Sequence, residues 1–67
     1  MKFKRIRDLR EDNDLTQKQV AEKLNVTQQT YSDYELGRIT ITAEVLIKLS
    51  SIYRVSVDYI LGLIDEK

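Results

Sequence analysis

The sequence predicts an all-α, compact five-helix domain, and three observations predict it. Apolar residues recur with helical spacing along the whole chain, and no proline interrupts them. Both glycines, Gly37 and Gly62, fall where a helical pattern stops. A third device occurs four times: an apolar residue, then Ser or Thr, then an apolar residue four positions after the hydroxyl. The sets are Leu15–Thr16–Val20, Val26–Thr27–Tyr31, Ile41–Thr42–Leu46 and Val55–Ser56–Ile60. Each is a hydrophobic staple around an N-cap, which fixes a helix start and its entry angle.

Helix 1 is expected over Phe3 to Asn13, with Phe3, Ile6 and Leu9 on one face at about 100° per residue. Arg10 falls on that face. A buried cation needs a partner, since leaving it unpaired costs several kcal/mol. Either Glu35, near the edge of the buried face of helix 3, supplies the carboxylate, or Arg10 snorkels its head to water. Helix 2 is expected over Gln17 to Leu24, opened by a Thr16–Gln19 capping box and closed by Asn25, which tolerates the left-handed conformation. Helix 3 is expected over Gln28 to Leu36, burying Tyr31 and Tyr34 and turning Gln28, Gln29, Ser32 and Asp33 outward. Helix 4, Ala43 to Tyr53, is the most apolar and is expected at the centre of the core through Val45, Leu46, Leu49, Ile52 and Tyr53. Helix 5, Val57 to Leu61, buries Val57, Ile60 and Leu61, with Tyr59 and Leu63 directed away.

Sixty-seven residues suit one domain, 1–67, near the lower size limit for independent folding. Without cysteine there is no disulfide or thiolate metal site, and without histidine the commonest general base and metal ligand is missing. Nothing converges as a catalytic site, so an enzyme is a poor reading; no cofactor, metal or small-molecule ligand is expected. No apolar run reaches membrane-spanning length, and a cytoplasmic location is expected. Eleven basic and eleven acidic residues cancel. The first ten residues hold five of the basic ones (Lys2, Lys4, Arg5, Arg7, Arg10), a cluster as consistent with a solvated helix face as with a polyanion contact.

Helices 2 and 3, joined by a short turn, make a helix-turn-helix over about residues 16–37. Exposed amides at the start of its second helix suit base edges in a major groove. The segments LTQKQVAEKLNVTQQTYSDYELGR and TAEVLIKLSSIYRVSVDYILG resemble the Cro/C1-type helix-turn-helix (XRE) family. The likeness extends from about Ile6 to Gly62, and Thr27–Gln28–Gln29 is similar to the corresponding helix start in lambdoid phage repressors. The order of Leu15–Thr16–Gln17, Ala21, Leu24, Val26, Tyr34–Glu35, Gly37 and Val57 to Gly62 carries the resemblance; short pieces such as LTQ do not. The sequence departs from the family pattern at Asn25 for a turn glycine, Ile41 for a common proline, Tyr34 for tryptophan and Leu36 at an often polar position.

The resemblance implies a lambda repressor-like fold and a sequence-specific regulator of transcription, a repressor, that binds double-stranded DNA. It implies that helix 3 enters the major groove, with Gln28, Gln29, Ser32 and Asp33 facing bases. Gln17, Thr27, Arg38, Thr40 and Thr42 would face phosphates. The family's helix 1 arginine and helix 3 glutamate favour an Arg10–Glu35 pair. A homodimer on a near-palindromic operator is expected, with Tyr59, Leu63 and Ile64 as the candidate interface, although Ile64 has a place in the core as an alternative. The competing class is an antitoxin or adaptor that uses the same fold for protein contacts. For each glutamine the plain alternative is a solvated polar face.

Overall fold

The computed structural model describes residues 2–66, so Met1 and Lys67 of the expected domain lie outside the described residues. It contains α1 (Lys4–Asp12), α2 (Gln17–Leu24), α3 (Gln28–Leu36), α4 (Ala43–Tyr53) and α5 (Val57–Leu61), with no strand among the described residues. Helices α2 to α5 begin where a hydroxyl accepts a backbone N–H. Thr16 accepts from Gln19, Thr27 from Thr30, Thr42 from Val45 and Ser56 from Tyr59. At α2 the Gln19 side chain returns a bond to the Thr16 N–H at 2.8 Å, completing the capping box. Such a cap stabilises by about 1 kcal/mol. α1 is a residue shorter at each end than expected, because Phe3 has extended backbone (φ −102°, ψ 95°) and Asn13 leaves the helical region.

Left-handed residues end the later helices. Asn25 (φ 60°) closes α2, Gly37 (φ 73°) closes α3 and Gly62 (φ 82°) closes α5. Arg54 closes α4 in the same conformation at φ 55°, which brings its Cβ close to the following carbonyl oxygen and so costs more than it would for glycine. The Val55 N–H bonds back to the Ser50 carbonyl at 3.1 Å, and Ser50 Oγ donates to the Val55 carbonyl, so the turn is held from both sides.

The core differs from expectation in its centre. Tyr31 of α3 is the largest fully buried side chain, joined by Ile6, Val20, Leu24, Leu49 and Ile60. α2 and α3 pack on each other most extensively, and α1 closes over α3 and α5. α4 is not the central helix: it buries Val45 and Leu49, while Leu46, Ile52 and Tyr53 are half-buried at the margin, and Ile47 is 64% exposed. α5 buries Ile60, with Val57 and Leu61 half-buried. High apolar content made α4 resemble a core helix, yet it packs chiefly on α5 and α2 and leaves one flank to solvent. Among the described residues no helix is long and apolar enough to cross a membrane.

Arg5 joins the two ends of the chain. Its Nη1 donates to the Tyr59 carbonyl at 2.8 Å and to the Ile64 carbonyl, and its Nη2 meets Asp65 Oδ1 at 2.9 Å. Its guanidinium also lies 4.1 Å from the Tyr59 ring centroid, within cation–π range. Tyr59 therefore does not point away from the core as expected; it is half-buried against the core with Arg5 over it. Of the candidate interface residues, Leu63 (71%) and Ile64 (43%) are exposed.

A comparison of the two glycines tests the packing of the N-terminal segment. A Cβ at either position meets a left-handed backbone, which costs roughly 1–2 kcal/mol. At Gly37 that Cβ would also stand 3.0 Å from Lys2 Cβ and 3.1 Å from its Cα, whereas at Gly62 nothing lies within 4 Å. Thermal melts should therefore show Gly37→Ala more destabilised than Gly62→Ala; equal melting temperatures would mean that Lys2 yields without cost.

Candidate nucleic-acid interface

The surface of interest begins with a buried charge. Glu35 is 5% exposed, deeper than the edge position expected for it. Arg10 meets it as a fork, Nε to Oε2 at 2.7 Å and Nη2 to Oε1 at 3.2 Å. This two-bond geometry is the strong form of an arginine–carboxylate contact. The remaining Arg10 nitrogen, Nη1, donates to the Leu15 carbonyl at 3.0 Å in the loop before α2. Gln17, the first residue of α2, donates its Nε2 to Glu35 Oε1 at 3.1 Å. One carboxylate thus ties α3 to α1, to the α1–α2 loop and to the start of α2.

The protonation behaviour follows from these contacts. Burial alone would raise the pKa of Glu35, but hydrogen bonding from Arg10 and Gln17, with the Arg10 charge and the nearby Tyr31 hydroxyl, outweighs it and holds the carboxyl below its ordinary range. Arg10 is raised in turn, first by its hydrogen bond to Glu35. The Tyr31 hydroxyl is buried and close enough to stabilise the Glu35 charge, though it makes no well-formed hydrogen bond. Burial raises the pKa of Tyr31 above the ordinary phenol value and pushes Tyr53 up to about 12. Tyr53 contributes a second buried hydroxyl without a partner. All members of this group keep their usual charge at neutral pH.

Beyond this anchor α3 presents a polar face. Gln28 and Gln29 are exposed in its first turn, and Ser32 and Asp33 are half-buried one turn on. Asp33 is already engaged: Gln29 Nε2 donates to its Oδ1 at 3.1 Å, and Arg38 Nη1 lies 3.9 Å from the same oxygen. The spacing of Asp33 from Gln29 is that of neighbours on a helix surface. Arg38 also donates its backbone N–H to the Asp33 carbonyl at 2.9 Å, so the segment after α3 folds back on the helix end. Thr40 is exposed in the following loop, and Thr42 is the exposed N-cap of α4.

Some sequence-selected side chains are less free than the sequence suggested. The Thr27 hydroxyl accepts from the Thr30 N–H at 3.1 Å and donates to Thr30 Oγ1 at 2.9 Å. The Thr42 hydroxyl accepts from the Val45 N–H. Gln17 is half-buried against Glu35, leaving one amide hydrogen and the backbone N–H groups at the start of α2 for other partners. Leu36 ends α3 with an apolar side chain 50% exposed, and Ile39 follows at 39%. Leu63 and Ile64 lie beyond α5, and the Ile64 carbonyl accepts from Arg5. Among the described residues no cluster of acidic, His or Cys side chains could hold a metal ion.

Two short helices across the Asn25–Thr27 turn, the second with its buried face anchored and its polar face open, define a helix-turn-helix domain. A helix-turn-helix family model matches residues 6–60, and the chain belongs to this family, in its Cro/C1-type (XRE) form. Over 66 residues it is 41% identical to the Uncharacterized HTH-type transcriptional regulator YobD of Bacillus subtilis (strain 168), a match covering 98% of this chain and 59% of that protein. Over 59 residues it is 42% identical to the HTH-type transcriptional regulator ImmR of the same organism, covering 88% of this chain and 46% of ImmR. The HTH-type transcriptional regulator YqaE, also named as uncharacterized, is 39% identical over 56 residues, which are 84% of this chain and 48% of YqaE. The chain thus spans about half the length of these curated relatives.

The Glu35 anchor is tested by comparing single with double replacement. Glu35→Ala leaves the Arg10 guanidinium, 14% exposed, without its carboxylate. The cost expected for breaking such a pair is about 3–5 kcal/mol, whereas replacing both members with apolar residues should cost no more than about 1 kcal/mol. Denaturant melts of E35A and of R10M/E35L measure the difference. Equal destabilisation would mean that the charges add nothing beyond the volume they fill.

Proposed function

We propose that this chain is a sequence-specific, double-stranded DNA-binding regulator of transcription, a repressor, that binds as a homodimer to a near-palindromic site. The observation carrying the reading is the exposed Gln28–Gln29 pair on a helix whose opposite side is locked through Glu35, in a chain of the helix-turn-helix family. In this reading α3 lies in the major groove, where an amide donates to N7 and accepts from N6 of adenine. Gln28 and Gln29 read bases, and Ser32 and Asp33 border them.

Phosphates are met from the helix starts and from Arg38. Gln17 contributes backbone N–H groups at the positive end of α2 together with its remaining amide hydrogen. Because the Thr27 hydroxyl is used inside the cap, the start of α3 contributes through its backbone. Thr40 and Thr42 extend the same line toward the start of α4. Dimerisation involves Tyr59 and the tail beyond α5, where Leu63 and Ile64 are exposed and Arg5 lies over the Tyr59 ring while bonding to the Ile64 carbonyl. A second copy roughly doubles the number of base pairs contacted, which a domain this small requires for useful affinity. The protein acts in the cytoplasm, by binding and without catalysis.

The second reading is a protein-interaction module, an antitoxin or adaptor; the zero net charge favours it. Titrations in low and high salt separate the two, since phosphate binding releases counterions and weakens as salt rises. Gln28→Ala should cost about 1–3 kcal/mol on the preferred site and relax discrimination at one base pair. Arg38→Ala should weaken all sequences alike and lower the salt slope by about 1. An unchanged sequence preference in Q28A would remove its base-reading role. Wild-type association with duplex DNA that is absent, or indifferent to salt, would favour the adaptor.

A further inference from the structure

A hydrogen bond within the exposed face of α3 restricts what that face can recognise. Gln29 Nε2 lies 3.1 Å from Asp33 Oδ1. An ionised carboxylate only accepts, so the amide group facing it is the nitrogen, and the orientation of the Gln29 amide is fixed by chemistry. Asp33 is itself held. Its side chain is 21% exposed, Arg38 Nη1 approaches the same oxygen at 3.9 Å, and its carbonyl accepts the Arg38 N–H at 2.9 Å. A Gln–Asp bond one turn apart is ordinary support for a helix; here it also uses a donor on a side chain that faces outward.

A free glutamine amide offers two N–H donors and one acceptor. It can meet adenine by donating to N7 and accepting from N6, or guanine by donating both hydrogens to N7 and O6. With one hydrogen committed to Asp33, Gln29 retains one donor and Oε1. That pair fits adenine. On guanine the same pair sets Oε1 against a second acceptor with no proton between them. The geometry points to Asp33 as a specificity-determining residue that makes Gln29 select adenine over guanine by occupying one of its donors. Gln28, whose amide is hydrogen-bonded to no other side chain among the described residues, keeps both donors and lacks this restriction. The inference rests on major-groove reading by α3, as proposed above.

The test uses the whole chain and a set of duplexes carrying each substitution at each base pair of its preferred site, with Kd measured by fluorescence anisotropy. At one base pair the wild type should prefer adenine over guanine by about tenfold, within the range of one bidentate contact. Gln29→Ala should abolish that preference. Asp33→Ala should reduce it at least about fivefold while raising affinity for both duplexes, because a negative charge is lost. Asp33→Asn keeps an acceptor for Nε2 without the charge, so it should raise affinity and retain the preference. Retention of the full preference by D33A, or its equal loss in D33A and D33N, would overturn the donor-occupancy inference and leave the reading by α3 intact. Binding to duplex DNA with Q28A and Q29A discriminating as the wild type does at every base pair would overturn the α3 reading itself, and this inference with it.

Discussion

The rest of this structure depends on the buried pair of Arg10 and Glu35. A domain of 67 residues has little apolar volume, so placing two charges inside it is costly unless each is well paired. Here the arginine fork uses both carboxylate oxygens, its remaining nitrogen satisfies the Leu15 carbonyl, and Gln17 adds a further bond to Glu35. An apolar contact tolerates sliding; a fork of hydrogen bonds does not. The pair therefore does more than fill space. It fixes the rotation of α3 about its axis, and with it the direction in which Gln28 and Gln29 face. The same carboxylate holds the first residue of α2, so the outward face of α3 and the positive end of α2 are set relative to each other by one side chain.

How much of this was legible in the sequence depends on how local the cause is. Helices α2 to α5 start and stop at the residues expected, because a hydroxyl cap with flanking apolar residues opens each of them and Asn25, Gly37 or Gly62 closes all but α4, and these are short-range signals. The partner of Arg10 lay 25 positions away, and its residue types and burial restricted it to one candidate only with the family pattern beside them. Arg5 gave no such signal. It sits in a run of basic residues, and its partners at Tyr59, Ile64 and Asp65 lie 54 to 60 positions further on. The direction of Tyr59 has the same origin, since a ring that helical phase places outward is covered by a cation from the other end of the chain. The centre of the core differs from expectation for another reason. Periodicity measures how apolar a face is and not how many neighbours surround it, so α4 ranked above α3, whose Tyr31 and Glu35 are buried despite their polar atoms.

The balance of charge is resolved locally. Net charge is zero, and Asp33 stands on the face that would meet a polyanion. In place it is neither free nor isolated, because Arg38 screens it and Gln29 hydrogen-bonds to it. An acidic residue that looked out of place in the sequence becomes part of how a neighbouring amide is oriented. Low net charge also lowers indiscriminate affinity for a polyanion, which places the weight of any binding on specific contacts. The relatives are about twice as long as this chain.

In the proposed function α3, locked by Glu35, presents a surface that reads base sequence. Selection of bound duplexes from a random pool by the whole chain tests it most directly. Enrichment of one near-palindromic sequence is expected, with half-sites about one helical turn apart and adenine favoured among the enriched positions. Recovery of a pool no different from its input, with no dependence of retention on salt, would contradict it.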